Sequence, residues 1–305
     1  MRILLVVNAF ASSVTARNTV VVHRALSKGH EVEVVETNRR GHATRYAQDA
    51  ARRGIDVVVA FGGDGTLNEV ATGVAGTGTA LAVLPGGSTN VFARTIGMPN
   101  DPVAGVYRIV AGLNRGAIEP IGLGRANGRH FCFHTGVGYD AAVVREVERR
   151  ASLKRWFGHP LFVEAALRTW LVGYDRRHPH FTVATADGRP VEGYFTVVLN
   201  TNPYSYLGNR PLGMSDAATL DRGLVAVTFR TLDLVTILRA VDGALRHGTI
   251  AAGEHIDVRT DLTAVDIESA SPFPYQVDGD YLGETTRLEF RHVPDAVRLV
   301  QPLEP

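Results

Sequence analysis

Gly62-Gly63-Asp64-Gly65-Thr66 sets one carboxylate among three glycines, directly after the apolar run of residues 55–61 and before a helical pattern. Glycines admit positive φ and let amide groups converge on an anion without obstruction by Cβ. A helix that follows turns its positive end to the same point. This combination suits a polyphosphate. Asp64 would repel phosphate unless it caps the helix, holds Mg²⁺ through water or handles a proton. A second cluster, Pro85-Gly86-Gly87-Ser88-Thr89-Asn90, follows the next strand candidate. Two such loops facing one crevice exceed what turn geometry requires.

Late in the chain, Asp278-Gly279-Asp280 places two acids about a glycine. Asp-Gly is also a common type I′ hairpin pair, so this stretch reads either as paired acids or as a turn. Other chemistries are set aside. There is no Walker A spacing and no Gly-x-Ser-x-Gly elbow. Gly136-Val137-Gly138-Tyr139-Asp140-Ala141 matches a dinucleotide fingerprint, but residues 152–170 read as helix, so no strand brings the ribose-binding acid. The eleven histidines show no ligand spacing, and the single cysteine, Cys132, excludes an intramolecular disulfide.

These loops need strands to carry them. Residues 3–7, 31–36, 55–61 and 80–84 read as strands apolar on both faces. Between and after them lie helical patterns at 16–27, 43–53, 67–75, 89–96 and 102–112. That alternation predicts a parallel sheet covered on both sides, with ligands at the strand carboxyl ends. From about Ala117 the pattern changes. Helical stretches at 141–150 and 161–172 give way to strands at 181–184, 194–199, 224–229 and 265–268, with a hairpin turn at Asp187-Gly188-Arg189 and a helix at 234–246. The expected fold is α/β in two domains: an N-terminal parallel-sheet nucleotide-binding domain over 1–118 and a β-rich antiparallel, sandwich-like domain over 119–295. Residues 296–305 form a segment that returns to either domain, the first being expected.

Composition fits this reading. The chain has 305 residues, 45% hydrophobic and 21% charged, with a formal net charge of +1. No charge asymmetry points to nucleic acid. No secretory signal is visible, and the uncharged stretch 70–93 is broken by Gly73, Gly76, Gly78, Pro85, Gly86 and Gly87, which argues against a transmembrane helix. A cytoplasmic protein is expected, meeting any membrane from the side at its inner surface.

The stretches Gly62-Gly63-Asp64-Gly65-Thr66-Leu67-Asn68-Glu69-Val70 and Leu84-Pro85-Gly86-Gly87-Ser88-Thr89-Asn90-Val91-Phe92-Ala93-Arg94, with the late Asp278-Gly279-Asp280, resemble the catalytic region of diacylglycerol and sphingosine kinases, above all the soluble bacterial lipid kinases. The first core alone is shared with NAD kinases and phosphofructokinases. The resemblance implies ATP in a cleft between the two domains, contacted by Asn8, Thr37, Gly62, Gly63, Asp64, Gly65, Thr66 and Asn68, with Ser88 and Asn90. Glu69 would line the adenosine side, orient the loop, or simply be a first-turn carboxylate favoured by its helix dipole. It implies transfer of a γ-phosphate to a lipid hydroxyl, diacylglycerol to phosphatidic acid, with Mg²⁺. Asp278 is favoured as proton acceptor and Asp280 as Mg²⁺ ligand, the reverse remaining open; Asp64 joins the catalytic or metal network.

Several positions depart from the family pattern. Asn8-Ala9-Phe10-Ala11-Ser12 replaces Asn-Pro-x-Ser/Ala-Gly, and Val91 and Gly122 stand where acids are usual, with Glu119 nearby. A structural Mg²⁺ would need the aspartate before a glycine, yet Arg222 precedes Gly223 and Asp221 lies one residue earlier. Arg149, Arg150, Lys154 and Arg155 around Leu153, Trp156 and Phe157 read either as a membrane contact or as a solvated helix end, and residues 160–172 as core or lipid pocket. Expected partners are ATP and a lipid at a membrane surface, without nucleic acid, a homodimer being open. Kinases for NAD or a sphingoid base, and a nucleotide or lipid sensor of weak catalytic power, stay as alternatives.

Overall fold

A computed structural model describes residues 1–149, 164–186 and 188–305. The chain forms two compact units, residues 1–123 with 294–305, and residues 124–293.

The first unit is a parallel sheet. Its strands are β1 (Arg2–Val7), β2 (Glu31–Glu36), β3 (Val57–Gly62) and β4 (Ala80–Pro85), in the order β2-β1-β3-β4. β3 and β4 are buried at every position, as their Val, Ala and Leu runs require of a sheet covered on both faces. β2 departs from that expectation: Glu31, Glu33 and Glu36 are solvent-facing because it is the edge strand. Helix α1 (Ala16–Leu26) packs with α5 (Pro102–Asn114), and α2 (His42–Arg52) with α3 (Asp64–Val74); the short α4 (Val91–Thr95) lies against β4. Reversal of strand order between β1 and β3 creates a switch point, where open α/β sheets bind ligands.

The second unit is antiparallel. β5 (Ile118–Ala126) leads into it and pairs with β6 (Arg129–Phe131). Its main ladder runs β14 (Ile256–Leu262), β13 (Leu224–Phe229), β10 (Phe195–Leu199), β7 (His134–Gly138), β15 (Ala264–Val277) and β16 (Asp280–Val300). β8 (Phe181–Thr185) pairs with β15 and with β9 (Val191–Gly193); β11 (Ser205–Leu207) and β12 (Arg210–Leu212) make a separate hairpin. Alternation along β10 and β13 feeds two cores. Val198, Leu224 and Ala226 join Phe131, Phe273 and Phe290 on one side; Val197, Val225 and Val227 meet Ala240 and Ala244 of α7 (Leu234–Arg246) on the other. Helix α6 (Tyr139–Glu148) follows β7, and Thr169–Gly173 is a π-helical turn.

β16 continues past this unit, and its Arg298 and Leu299 pair in parallel with Ala80 and Leu81 of β4. The expected contact segment over residues 150–157, the first part of the 161–172 helix and Asp187 of the hairpin turn lie outside the described residues. Among the described residues no helix is long and apolar enough to cross a membrane.

Candidate active site

The register of the first unit brings the glycine loops to one edge. Val7 aligns with Glu36 and Phe61, and Gly62 with Pro85, so Asn8, Thr37, Gly63 and Gly86 all follow strand carboxyl ends. At the switch point the Asn8 amide donates to Phe61 O at 2.9 Å, and Asn8 Nδ2 donates to Thr66 Oγ1 at 2.9 Å. Asn8 Oδ1 accepts from Phe10 N. Thr37 is buried, its amide donating to Val7 O.

The two loops lie backbone to backbone. A Cβ on Gly87 would come 2.8 Å from Gly63 Cα, and one on Gly86 would come 2.8 Å from Gly62 Cα and strike Val14. Side chains here would force the loops apart. Asp64 completes the clamp: its Oδ2 accepts from Val91 N at 3.0 Å and its Oδ1 from Phe92 N at 3.3 Å. It therefore caps α4 and not its own helix, whose N-cap is Gly63 with no side-chain hydrogen bond. The leading amides of α3 are thus left for a ligand. Burial is the main influence on Asp64 and pushes its pKa up, against the opposing pull of the two amides. No cation is among its described partners. A buried carboxylate of this kind, between two glycine loops, fits a divalent cation held directly or through water.

Asn90 closes the second loop. It adopts φ 52°, which asparagine tolerates better than most residues. Its Oδ1 accepts from Gly87 N, and its Nδ2 donates to Gly87 O and Asn100 Oδ1. Ser88 is exposed on this loop; Thr66 and Asn68 are buried. Glu69 sits in the second turn of α3, since that helix begins at Asp64 and not at residue 67. Its carboxylate accepts from Gly41 N at 2.7 Å and Ala43 N at 3.1 Å. It caps α2, which has no side-chain cap of its own, so the dipole it serves belongs to another helix.

In the second unit, Val277 pairs with Asp280 across Asp278 and Gly279, at φ 47° and 82°. That is the two-residue hairpin geometry Asp-Gly favours. Asp278 is buried; its carboxylate accepts from Cys132 N at 2.7 Å, Phe133 N at 3.0 Å and His134 N at 3.1 Å. Asp280 is partly exposed and faces Arg129 at 3.6 Å. Behind the turn, Gln276 donates to Asp140 Oδ2 and accepts from Gly279 N. Tyr204 OH donates to Asp140 Oδ1, and its ring lies 4.3 Å from that of His134. Burial raises the pKa of Asp140 and lowers that of His134 to about 3. His134 Nδ1 has no hydrogen-bond partner among the described residues.

Sequence reasoning missed this cluster. The one available signal was Gly136, whose added Cβ would overlap the Asp140 carboxylate; the fingerprint glycine makes room for an acid rather than a dinucleotide. Asp221 is exposed, its pKa lowered chiefly by a hydrogen bond from Thr219. Among the described residues no three His, Cys, Asp or Glu side chains form a metal cluster.

Residues 2–126 match the family model of the diacylglycerol kinase catalytic domain. The chain is 28% identical to the diacylglycerol kinase of Bacillus subtilis (strain 168) over 293 residues, covering 93% of this chain and 90% of that one. It is 31% identical to a probable YegS-like lipid kinase of Pseudomonas aeruginosa (strain UCBPP-PA14) over 280 residues, 90% and 86% of the two chains. A crystal structure of a diacylglycerol kinase from Bacillus anthracis (strain Sterne) superimposes with a TM-score of 0.72 at 20% identity, covering 98% of this chain and 96% of that one, a likeness of fold. With Asp64 clamping two glycine loops at the switch point and relatives of this identity along nearly its whole length, the chain belongs to the lipid kinase family that carries the diacylglycerol kinase catalytic domain.

Proposed function

We propose that the chain transfers the γ-phosphate of ATP to a lipid hydroxyl, diacylglycerol to phosphatidic acid. The observation that carries this reading is the pair of glycine loops packed backbone to backbone and tied by Asp64 to Val91 and Phe92. Family membership supplies the reaction class, and the name of the Bacillus subtilis relative supplies the acceptor.

ATP would lie on the uncapped amides of α3 and the second loop, with Asn8, Thr66 and Ser88 around it. Mg²⁺, held by Asp64, would spread the charge of the transferring phosphate. Asn8 fixes the Thr66 hydroxyl, and Asn90 fixes the Gly87 amide. Asp280 takes the proton of the attacking hydroxyl. Asp278 is the anchor of the turn: it is buried and its carboxylate accepts three amides, whereas Asp280 is partly exposed and faces Arg129 at 3.6 Å. This is the reverse of the assignment favoured from sequence. Gln276 holds the turn through Gly279 N, with Asp140 behind it.

The test is transfer from labelled ATP, with Mg²⁺, to dispersed diacylglycerol, monoacylglycerol, sphingosine and NAD. Label in extractable phosphatidic acid, abolished by Asp280→Asn, is the expected result. Label only in NAD would refute the lipid acceptor. ATP binding without transfer would refute the enzyme and favour a sensor, the reading that Val91 and Gly122 keep open.

A further inference from the structure

Asp140 stands in the first turn of α6, where a carboxylate ordinarily serves its own helix. Here both its oxygens are engaged elsewhere. Tyr204 OH donates to Oδ1, and Gln276 Nε2 donates to Oδ2 at 2.8 Å. The cap of α6, Gly138, has no side-chain hydrogen bond. Asp140 and Gln276 are buried, and Gly136 is the register partner of Gln276 across β7 and β15. A Cβ on Gly136 would overlap the Asp140 carboxylate, which therefore lies directly over that pair.

A side-chain amide has a donor end and an acceptor end. The backbone amide of Gly279 can only donate, and it does so to Gln276 Oε1 at 2.8 Å. Gln276 meets it only with its NH₂ turned the other way, onto a group that accepts. Asp140 is that group. Gly279, at φ 82°, is the residue directly before Asp280.

We propose that Asp140 is a positioning residue: its carboxylate fixes which way the Gln276 amide faces, and through it where the turn holds Asp280. This rests on the reading of Asp280 as the proton acceptor. A misplacement of about 1 Å at a reacting group lowers the rate by about 100-fold.

The test is an exchange of roles between the two side chains. Asp140→Leu offers no acceptor, and Gln276→Glu sets two carboxylates face to face; each should lower kcat by about 100-fold with KM for ATP and for lipid unchanged. Adding Asp140→Asn to Gln276→Glu lets residue 140 donate and residue 276 accept, so Gly279 keeps its acceptor and kcat returns to within about tenfold of wild type. Kinetics are taken well below the unfolding midpoint of each variant, where a merely structural role leaves kcat intact. Hydrogen exchange at the Gly279 amide reads the turn without activity: it should quicken about tenfold or more in Asp140→Leu and recover in the double variant. Wild-type kcat in Asp140→Leu, a Gln276→Glu defect that Asp140→Asn leaves uncorrected, or unchanged exchange at Gly279 overturns the proposal. So does a raised KM for lipid at intact kcat, which would make Asp140 a contact of the acceptor. A wild-type chain that transfers nothing defeats the proposed reaction instead, and exchange at Gly279 then decides the coupling by itself.

Discussion

Asp64 holds Val91, 27 residues along the chain, by a 3.0 Å hydrogen bond from the first amide of the helix after the second glycine loop to a carboxylate at the first. The loop that would carry phosphate is thus fastened to its neighbour by a carboxylate, so the proposed chemistry and the architecture would share one side chain. Asp64→Asn keeps one acceptor oxygen and so keeps part of the clamp. Turnover should fall by about 100-fold or more, with secondary structure unchanged and stability lowered by about 1 kcal/mol. Steady-state kinetics and urea unfolding measure the two effects. Wild-type turnover in this variant would remove Asp64 from the reaction.

Glu69 behaves differently, because its partners are the amides of Gly41 and Ala43 at the start of α2. Glu69→Ala should cost about 1 to 2 kcal/mol of stability, the usual loss for a helix cap. The affinity for ATP should change little. Faster hydrogen exchange at residues 41–43 would locate the damage, and a tenfold loss of ATP affinity at unchanged stability would place Glu69 at the nucleotide instead.

The two acids of the late turn should separate in their effects. Asp278→Asn turns an NH₂ toward the amide donors of Cys132, Phe133 and His134 and is expected to destabilise by about 3 kcal/mol. Asp280→Asn should leave the unfolding midpoint in place and abolish transfer. Equal loss of stability in both would contradict the division of roles.

His134 gives the fold a pH dependence. Its pKa drops from an unfolded value near 6.5 to about 3 because burial disfavours the imidazolium. Between those values the unfolded chain binds the extra proton, so stability falls as pH drops from about 6.5 to about 3. His134→Phe keeps the ring beside Tyr204 and removes the titration. Its unfolding free energy should decline less steeply over that window, while an identical slope would show that His134 is not the group responsible.

Much of the scaffold is legible because its signals are local. Residues 31–36 and 234–246 form the strand and helix expected of them, since a β-branched run and a capped periodic stretch each declare themselves within a dozen residues. Boundaries move where glycine enters a helix: α3 starts at Asp64, three residues before the expected residue 67, because the loop amides already turn helically. The edge position of β2 escapes the sequence reading, which weighs its valines above its alternating glutamates. The partners of Asp64, Glu69 and Asp278 are invisible for a different reason. Each carboxylate binds backbone amides, and an amide leaves no mark in a sequence. The Asp140, Tyr204 and Gln276 group is equally hidden, joined only when β7, β10 and β15 lie side by side.

The return of β16 to β4 has a consequence for biosynthesis. Ala80 and Leu81 leave the ribosome early, yet their neighbours Arg298 and Leu299 emerge 218 residues later, the difference between 298 and 80. At the usual pace of synthesis that interval is about 10 to 40 s. Throughout it, β4 offers a fully apolar, unpaired edge to any passing strand. The nascent chain is therefore most vulnerable to misassembly at β4, and slow translation of residues 124–293 should lower the yield of native protein more than slow translation of the first eighty residues.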